Sequence, residues 1–144
     1  MRKRIRPPSY TALKKGRSHE FGLLLDAVLN ESHKVKDIVT ANPEVLYETC
    51  WAGENVLHWL AIENHTEGIE LLRSLGSPIP EFALIHAVEH GHTETVILLL
   101  ELGAELNEYV SNTCGKALKT NAFGMPEKNV RLIKSYFKQY GYEI

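Results

Sequence analysis

Apolar residues fall into two groups between positions 84 and 107. The first holds Leu84, Ile85, Ala87 and Val88, and the second holds Val96, Leu99 and Leu100. Within each group the spacing is that of one helix face. Gly91-His92 separates the groups and Gly103 closes the second. Glycine takes the left-handed position after a helix without steric cost, so each glycine predicts a stop. The stretch therefore reads as helix, tight turn, helix, loop.

The same pattern occurs upstream. "NVLHWLAIENHTEGIELLRSLGSPI" aligns with it at an offset of 27, pairing Leu57 with Leu84, Leu60-Ala61 with Ala87-Val88, His65 with His92 and Gly76 with Gly103. "LLDAVLNESHKVKDIVTANPEVL" precedes it by 33, pairing Leu24 with Leu57, Ala27-Val28 with Leu60-Ala61 and Ser32 with His65. A looser copy follows in "ALKTNAFGMPEKNVRLIKSYFKQYG", with Leu118 lying 34 beyond Leu84 and Gly141 ending its second helix. Helix pairs repeating at about 33 residues indicate a stacked solenoid in which each unit buries its apolar face on its neighbours. The expected core is Leu24, Ala27, Val28, Val35, Ile38, Leu57, Leu60, Ala61, Ile69, Leu71, Leu72, Leu84, Ala87, Val88, Val96, Leu99 and Leu100.

These residues carry a family resemblance. "GENVLHWLAIENH" keeps Gly53, Leu57, His58, Ala61 and His65 of the ankyrin repeat, and "HGHTETVILLLELGAELN" matches its second half almost position for position. The chain from about 22 to 141 thus resembles ankyrin repeats. The resemblance implies an all-α ankyrin-repeat solenoid of about four helix-turn-helix units, at approximately 22–52, 53–79, 80–107 and 112–141, with a basic N-terminal arm at 1–20 ahead of a repeat domain at 21–144. The motif's Thr-Pro is missing from every copy. The 27-residue spacing also leaves too little chain in "GSPIPEF" for a full projecting finger, so shortened or degenerate fingers are expected. The weakest interface is expected at the fourth unit, where Asn121 replaces a small apolar residue and "FGMPEKN" makes an irregular turn.

The net charge of −2 conceals three blocks. Residues 1–20 carry seven Lys or Arg against Glu20, a net +6, and residues 113–144 carry a net +4. Residues 41–112 hold twelve Glu against the single Arg73, a net −11. An acidic stack favours encounter with a basic partner. The basic start lacks a following apolar run that would make it a leader, and nowhere does an apolar run approach the roughly 18 residues of a membrane helix. The expectation is a cytoplasmic, single-domain, monomeric protein.

Catalytic signatures are lacking: there is no G-x-S-x-G, phosphate-binding loop, H-E-x-x-H or dinucleotide glycine pattern. Neither an enzyme nor a cofactor is expected. His86 and His90 stand one helical turn apart with His92 nearby, a spacing compatible with zinc, but no clustered Cys supports it and no metal is expected. Cys50 and Cys114 lack a CxxC partner and read as two free thiols, with a disulfide between them left open. His58, His65 and His92 occupy positions where the resemblance implies turn and helix-end hydrogen bonds.

The resemblance further implies a partner-binding concave face formed by the first helices and the loops before them. Trp51, Glu54, Asn55, Trp59, Glu63, Phe82, His86, Glu89, His90 and Tyr109 would line it. Aromatic residues rimmed by acids suit a protein interface. The expected function is non-enzymatic binding of a basic protein. An immunity protein neutralising a cognate toxin is one alternative. Binding of nucleic acid or an anionic surface by residues 1–17 is another.

Overall fold

The computed structural model describes residues 19–50 and 52–144. Residues 1–18, most of the basic arm, and Trp51 lie outside the described residues. Among the described residues there are eight α-helices, two 3₁₀ turns and no strand. In chain order the helices are α1 (His19–Asn30), α2 (Val35–Ala41), α3 (Val56–Ile62), α4 (Thr66–Ser74), α5 (Glu81–Glu89), α6 (Thr93–Glu101), α7 (Glu108–Thr120) and α8 (Glu127–Gln139). The 3₁₀ turns, Ser32–Lys34 and Pro43–Tyr47, flank α2.

The helices form two layers. In one, α3 packs on α1 and α5, and α5 packs on α7; in the other, α6 packs on α4 and α8. Cross-layer contacts join α1 to α2, α3 to α4 and α5 to α6. This is the stacked arrangement that the repeat requires. All the expected core positions are buried except Ile38 and Leu71, which pack half-buried against the core. Phe21 at one end and Phe137 at the other are both fully buried.

The turn between paired helices takes a left-handed residue in three of the four pairs, at Asn64 (φ 55°), Gly91 (φ 69°) and Asn121 (φ 45°). Asparagine is the side chain that best tolerates this conformation after glycine. The expected stops at Gly103 and Gly141 are also left-handed.

The fingers are reduced to turns. Between α2 and α3, Cys50 N–H donates to Glu54 O at 3.0 Å and Gly53 N–H to Cys50 O at 2.9 Å. Between α4 and α5 the short loop is held from both sides. Arg73 Nη1 donates to Ser77 O at 2.8 Å and Asn55 Nδ2 donates to Pro78 O at 3.1 Å. Among the described residues no helix is long and apolar enough to cross a membrane.

Candidate partner-binding rim

Asn55 starts α3. Its side-chain oxygen accepts the His58 amide at 2.9 Å, the bond an N-cap residue makes to relieve an unpaired helix donor. Its amide reaches across to the loop before α5. That reach needs an amide where the family motif has threonine, and it leaves Asn55 only 1% exposed. Asn55 therefore joins two repeats from inside and does not line the surface, a correction to the expected contact set.

Trp59 is the second correction. It is only 8% exposed, and its indole nitrogen is buried without a hydrogen-bond partner. Six of the seven residues of α3 are buried, because this short helix lies between α1 and α5 and over α4. A large ring at position 59 has no outward face to occupy. Trp51 lies outside the described residues.

The first turn of α3 and the second turn of α5 bring together a group that the sequence did not point to. His58, 1% exposed, places Nε2 2.7 Å from Nδ1 of half-buried His86. The carboxylate of Glu54 joins them, so that one donor atom from each of the three residues lies within 4.8 Å of the others. Burial, and then the neighbouring His86, push the His58 pKa down from 6.5 to about 3. His58 is therefore neutral at physiological pH, and a single proton is shared between the two facing nitrogens. Phe82, one turn earlier on α5 and 46% exposed, places its ring 6.0 Å from His86.

Along α5 the chemistry changes. His90 Nδ1 donates to His86 O at 2.8 Å, and its ring stacks on His92 at 5.5 Å and on exposed Phe123 at 4.7 Å. His92 Nε2 donates to Ile62 O of the preceding repeat at 2.9 Å. The trio His86, His90 and His92 thus splits between two sites. Glu89 faces α7, where burial and then the Glu89 charge raise the Cys114 thiol to about 12. Such a thiol is inert as a nucleophile. Both cysteines are free and buried. His65 has the expected turn role, its Nδ1 accepting from Gly68 N–H at 3.0 Å.

Of the remaining expected contacts, Glu63 is exposed at the end of α3, Tyr109 is exposed on the first turn of α7, and Glu89 is half-buried. Glu54, Glu63 and Glu89 make no salt bridge among the described residues. Phe123 and His58 are the residues that sequence reasoning did not place at the rim.

A family model for ankyrin repeats matches residues 23–110 in three copies. The chain belongs to the ankyrin repeat family. Ankyrin repeats mediate protein–protein interaction. The matched span ends within α7, yet α7 and α8 continue the two layers beyond it. No curated protein and no solved structure matches the chain.

Proposed function

We propose that this ankyrin stack binds a basic segment of another protein along the rim formed by α3, α5 and α7. The observation that carries the reading is the pairing of exposed rings with unneutralised acids: Phe82 and Tyr109 stand 46% and 55% exposed, while Glu54, Glu63 and Glu89 lack salt-bridge partners among the described residues. Exposed aromatic rings supply anchoring area at low entropic cost. Acids left unpaired in the free protein attract cationic side chains and exclude acidic competitors. His86 lies beside Phe82 and Glu54 and adds a polar contact.

The test is capture from native lysate at low and moderate salt, with mass spectrometry, by wild type and by a Phe82→Ala/Glu63→Lys variant. A basic protein held by wild type and lost from the variant supports the reading. If that protein is a nuclease or other toxin, the role narrows to inhibition of it. Equal capture by both proteins overturns the rim. Recovery of nucleic acid alone, equally by both, transfers binding to residues 1–17.

A further inference from the structure

We propose that Glu54, His58 and His86 form a binding site for a divalent transition metal of the zinc class, linking the second repeat to the third. Two imidazoles and one carboxylate are a donor set that zinc accepts, with protein ligands in three positions and the fourth left to water or an incoming side chain. The three donors come from two helices and the residue before a helix cap, positions that the stack itself holds in register. Asn55 fixes the start of α3 through His58 N–H and the next loop through Pro78 O. Glu54 immediately precedes that cap, and its own carbonyl is bound by Cys50 N–H. The donor atoms of all three residues already lie within 4.8 Å of one another.

A shared proton accounts for the histidine pair but not for the carboxylate beside it. Glu54 makes no salt bridge among the described residues, yet it faces two imidazole nitrogens. A cation between the three groups satisfies all of them. The facing nitrogens stand 2.7 Å apart. Two nitrogens held by zinc at about 2.0–2.1 Å in tetrahedral geometry stand roughly 3.3 Å apart, so the pair must open by about 0.6 Å. His86 makes that movement, being half-buried where His58 is enclosed. The metal takes both facing lone pairs, and the proton between them moves to the outer nitrogen of the ring that carried it. No proton is gained or lost by the pair.

The bound state leaves an N–H on His58 Nδ1, a buried atom without an acceptor. Metal-ligating histidines ordinarily donate this proton, and loss of such an outer contact weakens binding about 10–100-fold. Affinity about 10–100-fold below that of a site with this outer contact is therefore expected. The site shares Glu54 and His86 with the proposed rim, but zinc uptake is read without the protein partner, so the two readings fail separately.

The experiment uses the untagged full chain, stripped with chelator. Zinc chloride is titrated by calorimetry, and cobalt chloride by the visible bands of low-symmetry cobalt. The expected result is one zinc per chain, a cobalt spectrum of four- or five-coordinate type, and a higher melting temperature with zinc. His86→Ala and Glu54→Gln should each weaken zinc by at least about tenfold, judged against the losses that smaller outer-contact changes cause. A His90→Ala/His92→Ala variant should keep the wild-type affinity. Glu54→Gln removes no buried packing, so it carries the test if His86→Ala perturbs folding. Absence of stoichiometric zinc uptake by wild type overturns the site, as does equal uptake by wild type and Glu54→Gln.

Discussion

The two ends of the stack are joined to the middle in different ways. At the C-terminal junction, α7 packs along α5 and α8 along α6, so both layers continue. Met125 is buried and lies against Gly91, where an added Cβ would meet it at 3.0 Å. Tyr142 Oη donates to Leu106 O at 3.2 Å. At the N-terminal junction, among the described residues, α1 packs on α3 and Leu46 O accepts from Asn55 Nδ2 at 3.4 Å, while α2 packs chiefly within its own repeat. An open cavity of about 220 Å³ lies between Val28, Leu29, Asn30 and Ser32 on one side and His65, Glu67, Gly68 and Leu71 on the other. His65 turns inward to Gly68 N–H and does not reach back across this junction, as His92 does to Ile62 O at the middle one. In a one-dimensional stack, stability is a sum over such interfaces. The end expected from sequence to be weaker, the fourth unit, is thus the better tied, and the first repeat is now expected to open first.

The largest expected effect separates the ends directly. Phe21 and Phe137 are both fully buried aromatics, one in α1 and one in α8. Phe137→Ala should cost about 3–5 kcal/mol of global stability, as core aromatic truncations do. Phe21→Ala carries the same local loss, but opening of the first repeat should absorb it. The prediction is a large drop in urea midpoint for Phe137→Ala and a separate early transition for Phe21→Ala. Hydrogen exchange in α1 and α2 should be faster than in α7 and α8 already in wild type. Slower exchange in α1 and α2 would reverse the ranking of the ends.

The middle junction provides the pH-dependent term. His58 has its pKa lowered to about 3 in the folded chain and near 6.5 when unfolded. Between those values the unfolded chain binds the extra proton, so this stability is present above pH 6.5 and is lost as pH falls. The loss is about 1.4 kcal/mol per pH unit, or roughly 2 kcal/mol at pH 5. Urea midpoints in chelator at pH 7, 6 and 5 should fall more steeply for wild type than for His58→Gln. Equal slopes would remove the buried pair as the source. Both end junctions lack this histidine pair, so acid should loosen the centre of the stack relative to its ends.

Much of this architecture was readable because repetition amplifies a weak signal. Leu57 and Leu84 predict one another's burial, and Gly103 marks a stop that Gly76 and Gly141 repeat. What the period hides is contact between repeats that departs from it. His58 pairs with His86, 28 residues on, where the alignment offset is 27; the aligned residue is Ile85. Trp59 shares an alignment column with His86, yet one is buried in an enclosed helix and the other reaches the rim. Alignment assigns both the same exposure because it does not show which side chains close around each position. The residue types of the proposed rim, Phe82, Tyr109 and the acids, could be picked out in the sequence. The histidine–carboxylate group was not, since it depends on a side-chain approach across two repeats.

Gly68 tests the looser end at closer range. An added Cβ would stand 2.6 Å from both His65 Nδ1 and Val28 Cγ1, and 3.0 Å from Leu60 Cδ1. Alanine improves helix propensity by roughly 0.5–1 kcal/mol, while forced overpacking costs about 1–3 kcal/mol. With side chains of α1 and α3 both in the way, the steric term is the larger. Gly68→Ala should destabilise by about 1–2 kcal/mol, with the loss concentrated in protection of α1 and α2. A gain in stability would mean that the cavity beside Gly68 lets the first repeat shift without cost, and that this junction is looser still.

The smallest effect concerns the turn that sequence reading marked as the weak point. Asn121 takes the left-handed position after α7, and its side chain closes the following loop twice. Its amide donates to Met125 O at 3.0 Å and its oxygen accepts Met125 N–H at 2.8 Å. The residue that breaks the apolar pattern is the one that positions Met125 against Gly91. Two substitutions divide its roles. Asn121→Gly keeps the backbone conformation and loses the two bonds. Asn121→Ala loses both bonds and strains the backbone. Each hydrogen bond contributes about 0.5–1.5 kcal/mol net, and the turn is partly hydrated, so Asn121→Gly should cost about 1 kcal/mol. Left-handed strain adds roughly 1 kcal/mol for alanine. Chemical denaturation of both variants should therefore rank wild type above glycine and glycine above alanine. If glycine equals wild type, the two side-chain bonds contribute nothing net, and the tighter C-terminal junction must rest on Met125 packing, the α5–α7 and α6–α8 contacts and the Tyr142 bond to Leu106 O.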